Sequence, residues 1–393
     1  MKKALRFTLG VLLFGLAVCP ARAAFSNLYI FGDTLSATAD PGAPGGSYFY
    51  GQRWSNGRVW VEVLAQRQGL GANSITNVNW SNSSNNNSYY DHNSAEVVTD
   101  VNNFTAPSDV TNDLFIVWVC NADTFDAASV PDTSAEWTAA INQDQTNHLQ
   151  IITNLYAKGV RTLILPNAVD ISEIPAFNAG SLTMVMHNGC VAYNVAFSNT
   201  INQARALCPG LKIYAPDFFT LLNSVLTNAA YYGLTNALEN GHSIDAYDDP
   251  ALPTLTLNGP GTNYIFWDDM DPTAKFHEVI ADTVQQLISP VKISQLTVLS
   301  GSNRLDVANM PVGLNGIVLG STNLVLGNWT TVTNFNSTNT TQSVFILTAG
   351  SLQSSLRFSP NDVPNPPGGG GSNFVVGVQQ YYRLSFPFAW TWP

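Results

Sequence analysis

The sequence predicts a three-layer α/β/α sandwich on a parallel sheet, followed by a small all-β sandwich domain. Three observations carry that prediction. From Phe25 to about Ile288, short and almost wholly apolar runs alternate with helix-length stretches; continuous apolar runs suit strands buried on both faces of a parallel sheet. After Pro290 no helical period appears, and brief β-prone runs succeed one another between turns such as Asn315-Gly316 and Gly327-Asn328. The chain has 393 residues, enough for a large core and a second domain.

The amino-terminus reads as a secretory signal over residues 1–23. Lys2, Lys3 and Arg6 precede the apolar run Leu9 to Val18, and Ala21-Arg22-Ala23 supplies a small-x-small cleavage site. That run is far shorter than the roughly 20 residues of a spanning helix. Cys19 is preceded by Val18 and followed by Pro20, a poor context for a lipidated cysteine. No later stretch is suited to cross a bilayer, so the expected location is secreted or periplasmic. The two domains are expected at 24–290 and 291–393.

Within the first domain the strand candidates are Leu28–Phe31, Leu114–Val119, Val160–Leu165 and Leu211–Tyr214. Helices are expected over Arg58–Gln68, from a Thr133 or Ser134 cap to about Ala157 with Gly159 as the stop, over Asn178–Leu207, and from Pro272 onward. The last of these has Phe276, Val279, Ile280, Thr283, Val284 and Leu287 along its inner face. Two segments interrupt the alternation. Ser81–Ser88 is a polar low-complexity loop, and Asn236–Asn263 is a long irregular connection, suited either to a binding loop or to a surface excursion.

The β-prone runs of the second domain are Ile293–Val298, Leu305–Val307, Ile317–Leu319, Leu324–Leu326, Trp329–Val332, Val344–Leu347, Leu356–Phe358 and Phe374–Leu384, with Pro364–Gly371 as a loop insert. Trp329, Trp390 and Trp392 are aromatic groups for glycan contact through this domain, or for its own packing.

The full chain carries a formal charge of −11, and loss of the basic signal makes it more negative still. An acidic surface repels phosphate backbones, which excludes nucleic acid as a partner. Cys120, Cys190 and Cys208 follow the signal. An odd number leaves at least one thiol unpaired. Cys190 and Cys208 sit 18 residues apart on one helical stretch, which separates them by about 27 Å against the roughly 4.4–6.8 Å of a disulfide. No structural disulfide is expected.

The chemistry lies in four blocks. Phe31-Gly32-Asp33-Thr34-Leu35-Ser36 follows the first strand, and Gly51 to Glu62 contains Ser55-Asn56-Gly57. Trp118-Val119-Cys120-Asn121-Ala122-Asp123 follows a later strand, and Trp267-Asp268-Asp269-Met270-Asp271-Pro272-Thr273 precedes the last helix. Together these resemble the GDSL (SGNH) lipases and esterases, over residues 28 to about 288. The resemblance implies the SGNH-hydrolase fold, no cofactor, and a small-molecule, lipid or polysaccharide ester as substrate. It makes Thr34 the nucleophile in place of serine, Asp271 the base in place of histidine, and Asp268 the orienting carboxylate. Gly57 becomes an oxyanion N–H donor. In the third block Cys120 and Ala122 replace the family's glycine and asparagine, so Asn121, one position early, stands as the substitute amide.

These departures leave three readings open. One is a weak or unconventional ester hydrolase working through Thr34 and Asp271; aspartate near 3.9 is a poorer base than histidine near 6.5, and threonine is a more crowded nucleophile than serine. Another is a non-catalytic relative that binds a glycan or acyl ligand. A third is a cation site in which Asp33, Asp123, Asp268, Asp269 and Asp271 converge. His277, six residues beyond Asp271 on a helix, points about 240° around the axis and reads as a helix-face residue. His92, His148, His187 and His242 stand in no catalytic motif.

Overall fold

The apolar runs of the first part become a five-stranded parallel sheet of order β2-β1-β3-β4-β5. A computed structural model describes residues 25–386 apart from 41, 45, 72–74, 78–92, 130–133, 253, 324–327 and 348–379. Residues 1–23, expected to be a signal, and His92, Thr133, Ser81–Ser88, Leu324–Leu326, Leu356–Phe358, Pro364–Gly371, Trp390 and Trp392 lie outside the described residues.

Strands β1 (Leu28–Gly32) and β3 (Leu114–Trp118) are buried at every position, as two-sided burial demands. Strands β4 (Thr162–Ile164) and β5 (Lys212–Tyr214) extend the sheet beyond β3. The register pairs Leu28 with Leu114 and Gly32 with Trp118, so β1 and β3 end level. Their carboxyl ends adjoin where the strand order reverses, the place at which α/β sheets open a binding crevice. The edge strand β2 (Ile75–Asn77) has no counterpart in the sequence reading. It is three residues long, with only Ile75 strongly apolar.

Helices Trp60–Arg67, Ser134–Ala157, Thr183–Leu207 and Ala274–Ile288 match the expected ones to within a few residues. Thr273, rather than Pro272, caps the last by accepting from the Phe276 N–H. Leu287 turns out to be 43% exposed. The buried stripe runs instead through Val284 to Ile288, an i, i+4 step. The same helix buries Asp282, which is bonded to the Arg67 guanidinium at 2.7 Å; Arg67 also donates to the carbonyl of Val312, in the β region. Further helices at Ser94–Asn103, Cys120–Ala128 and Phe218–Thr227 were not anticipated.

The Asn236–Asn263 connection is neither featureless nor free. It forms a small hairpin of β6 (Leu238–Glu239) and β7 (His242–Ser243). Beyond the hairpin, Ala246, Leu252 and Leu255 join Phe49 and Trp54 around Trp267. After Ile288 the chain builds two antiparallel three-stranded sheets. One has order β12-β9-β8 from Lys292–Leu299 (β8), Ser302–Ala308 (β9) and Thr341–Leu347 (β12). The other is β11-β10-β13, from Asn315–Ser321 (β10), Thr330–Asn336 (β11) and Tyr381–Ser385 (β13). Leu305, Val307, Val318, Val344, Ile346 and Leu384 share a core between them, which makes this all-β region a sandwich. Cys120, Cys190 and Cys208 are buried free thiols. No helix among the described residues is long and apolar enough to cross a membrane.

Candidate functional site

Strand β1 delivers Asp33 and Thr34 through a turn that needs a glycine. A Cβ on Gly32 would lie 2.7 Å from the Ser36 Cβ and 3.3 Å from the Trp118 carbonyl oxygen. The Asp33 carboxylate accepts from the Leu35 N–H and so starts a 3-10 turn over Thr34–Ser36. The indole of Trp60 donates to Ser36 and ties that turn to the following helix.

The partner of Thr34 arrives from far along the chain. Its hydroxyl donates to Asp271 Oδ1 at 3.3 Å, and both residues are buried. Asp271 sits in a closed loop: Asp268 Oδ1 accepts from the N–H groups of Met270 and Asp271, at 3.1 and 2.7 Å, while the Trp267 N–H donates to the Asp271 carbonyl. Asp268 therefore holds the backbone of Asp271 in place. Ser55 donates to the Pro272 carbonyl and Asn56 accepts from the Ala274 N–H, which fastens the Ser55-Asn56-Gly57 block to the same loop.

Gly57 packs closely against this fastening. A Cβ there would meet the Ala274 Cβ at 2.6 Å. Gly57→Ala is expected to destabilise by about 1–3 kcal/mol, the usual cost of overpacking, with partial recovery in Gly57→Ala/Ala274→Gly; thermal midpoints of the two variants check it.

Asn121 is used otherwise than expected. A helix begins at Cys120, directly after the strand, and turns the Asn121 amide inward, where it donates to Asp33 Oδ2 at 3.2 Å and accepts from the Val169 N–H at 3.0 Å. Asn121 thus braces Asp33 from below. Asp123 belongs to a separate buried network with His148 (3.0 Å), Tyr193 (2.6 Å) and the Ser94 N–H (2.7 Å). Of the five aspartates of the cation reading, Asp123 is bonded apart from Asp33 and from the Asp268–Asp271 loop. Among the described residues no three His, Cys, Asp or Glu side chains form a set able to hold a metal. His187, unremarkable in sequence, is bonded through Nδ1 to the buried Asp170 at 2.6 Å. His277 is buried and pushed down to about 3 by that burial, so it is neutral. No hydrogen bond joins it to Thr34 or Asp271.

Burial governs the carboxyls at the strand ends. It pushes Asp33 up to about 7 against the bonds from Asn121 and Leu35, and Asp268 up to about 7 against those from Asp271 and Met270. Asp271 is raised well above the carboxylate range, first by burial and then by the charges of Asp268 and Asp33, with the Thr34 bond opposing.

Residues 28–284, which include the Thr34–Asp271 pair, match a family model described as GDSL-like Lipase/Acylhydrolase. The chain belongs to the GDSL-like lipase/acylhydrolase family. Similar solved structures include LAE5, an alpha/beta hydrolase enzyme from the metagenome of Lake Arreo, Spain, at 15% identity and TM-score 0.37, covering 68% of this chain and 97% of that one. Another is BT4096, a gut microbial diltiazem-metabolizing enzyme, at 8% identity and TM-score 0.38, covering 76% and 59%. No curated protein matches the chain.

In this GDSL-family chain an apolar crevice of about 30 Å³ opens beside the Thr34–Asp271 pair. Leu35, Met270 and Pro272, the sequence neighbours of that pair, line it together with Trp118, Phe218 and Phe276. It is narrow, with room for a short acyl group. Thr34 and Asp271 themselves are 2% and 1% exposed.

Proposed function

We propose that this GDSL-family protein is an exported ester hydrolase of low turnover, acting on short acyl esters such as those of acetylated glycans, with Thr34 as nucleophile and Asp271 as its base. The bond between Thr34 and Asp271 carries the reading. Ionised Asp271 takes the Thr34 proton as Oγ1 attacks the acyl carbon. The ester C–O bond then breaks, the leaving alcohol takes the proton back from Asp271, and water hydrolyses the acyl-threonine with Asp271 again as base. The crevice beside the pair supports an acyl group of acetyl size. Gly57 is proposed as the oxyanion N–H donor; Asn121 donates one amide N–H to Asp33 and accepts from Val169, so its second N–H is the one proposed to assist.

A second reading, a fold that binds its ligand without turning it over, is favoured by the near-complete burial of Thr34. The two separate on short-chain nitrophenyl esters. Hydrolysis by the native protein that falls at least about a hundredfold in Thr34→Ala supports the hydrolase, since loss of a nucleophile lowers kcat by orders of magnitude. Turnover only in Thr34→Ser/Asp271→His supports the binder.

A further inference from the structure

Of the four tyrosines that stand exposed among the described residues, Tyr48, Tyr50, Tyr231 and Tyr247, three gather at one place. Tyr48 and Tyr247 are 43% and 49% exposed and meet edge to face, with ring centroids 6.0 Å apart. Tyr247 also leans on the buried Phe49 at 5.8 Å. Tyr50, two residues on, is 44% exposed and carries the Arg53 guanidinium 5.5 Å from its ring centre. Single exposed aromatics need no explanation, but a contiguous group held rigid from beneath marks a contact surface. This one rests on the cluster of Phe49, Ala246 and Trp267.

Its attachment points are the two ends of the catalytic loop. The Tyr247 N–H donates to the Trp267 carbonyl at 2.9 Å, one residue before Asp268. The Tyr50 N–H donates to the Ser55 carbonyl at 2.8 Å, and the Ser55 hydroxyl donates to Pro272, one residue after Asp271. The aromatic surface and Asp271 are thus parts of one hydrogen-bonded assembly.

We propose that Tyr48, Tyr50 and Tyr247 form a platform that binds the pyranose rings of a neutral polysaccharide, so that an acyl group on the glycan is presented to Thr34. This rests on the hydrolase reading only for its last clause. Sugar rings offer an apolar C–H face to an aromatic ring and hydroxyls around the rim. The tyrosines supply the flat face and the exposed Asp248, beside Tyr247, supplies an acceptor for hydroxyls. An acidic chain of formal charge −11 disfavours anionic glycans. In the β region the Arg383 guanidinium lies 4.5 Å from the ring of Trp329.

The test is retardation of full-length Thr34→Ala, which binds without turnover, in native gels containing acetylated xylan or its deacetylated form. Tyr48→Ala/Tyr247→Ala in that background is expected to weaken binding about tenfold, the scale of losing aromatic contacts, whereas Tyr231→Ala leaves it unchanged. Tyr50→Ala alone is the check if the double variant melts at a lower temperature. Equal retardation with and without the tyrosines, or no retardation of Thr34→Ala by either polymer, overturns the proposal. Because binding is read without turnover, an inactive protein that still binds through the tyrosines sinks the hydrolase reading alone.

Discussion

Hydrolysis of a nitrophenyl ester by this protein is expected to rise with pH through the neutral range, where an ordinary carboxylate base would already give a level rate. A base must be ionised to take the proton of Thr34, and the ionised fraction of an acid far below its pKa rises tenfold per unit. Burial and the neighbouring Asp268 and Asp33 hold the Asp271 proton on to higher pH than an ordinary carboxylate's. Those two neighbours, pushed up to about 7, ionise first. Their charges then hold the Asp271 proton more firmly, which delays any plateau. The raised pKa has a compensation: once ionised, Asp271 is a far stronger base than an ordinary carboxylate. Initial rates between pH 6 and 9, corrected for spontaneous hydrolysis, give the profile. Asp271→Asn should abolish the slope. A rate flat across that range, as for an ordinary carboxylate base, would refute the assignment.

The parts of this site legible in the sequence are those fixed by their own neighbours. Gly32-Asp33-Thr34 follows a buried strand, and Asp268 to Thr273 ends at a helix cap, so both blocks announced their positions, and the fold brings them into hydrogen-bond contact. Asn121 did not. Helix begins at Cys120, and a step of one residue on a helix turns a side chain by about 100°, which brings the amide to Asp33. The pairings of Asp123 with His148 and Tyr193, and of Asp170 with His187, were out of reach for another reason. Each joins groups from separate elements whose packing no local pattern encodes. Tyr247 meets Tyr48 across almost two hundred residues for the same reason. The unanticipated helices left subtler traces. Asn93 and Asp217 cap two of them through side-chain oxygens, signals that were present in the sequence without a strong apolar period behind them.

The carboxyls that tune the rate should weaken the fold over the same range. Asp33 and Asp268 keep their protons to about pH 7 when folded, whereas in the unfolded chain they lose them near 3.9. Between those values the folded state binds more protons than the unfolded one, so stability is greatest below about pH 4 and declines as pH rises toward 7. A carboxyl displaced this far accounts for on the order of 4 kcal/mol at pH 8. Even one such group would lower the thermal midpoint by roughly 5 °C between pH 4.5 and 8 in a chain of this size. Asp268→Asn isolates the effect. The amide oxygen still accepts from Met270 and Asp271, the two bonds that Oδ1 makes now, while the charge is gone. This variant is expected to melt higher than the native protein at pH 8 and no differently at pH 4.5; thermal unfolding followed by circular dichroism at the two values decides it. A native midpoint that rises with pH would mean that these carboxyls ionise freely, and the alkaline climb in rate would lose its cause as well. If both trends appear, the buried acids at the end of β1 are a cost to the fold retained at the place where a stronger base is needed.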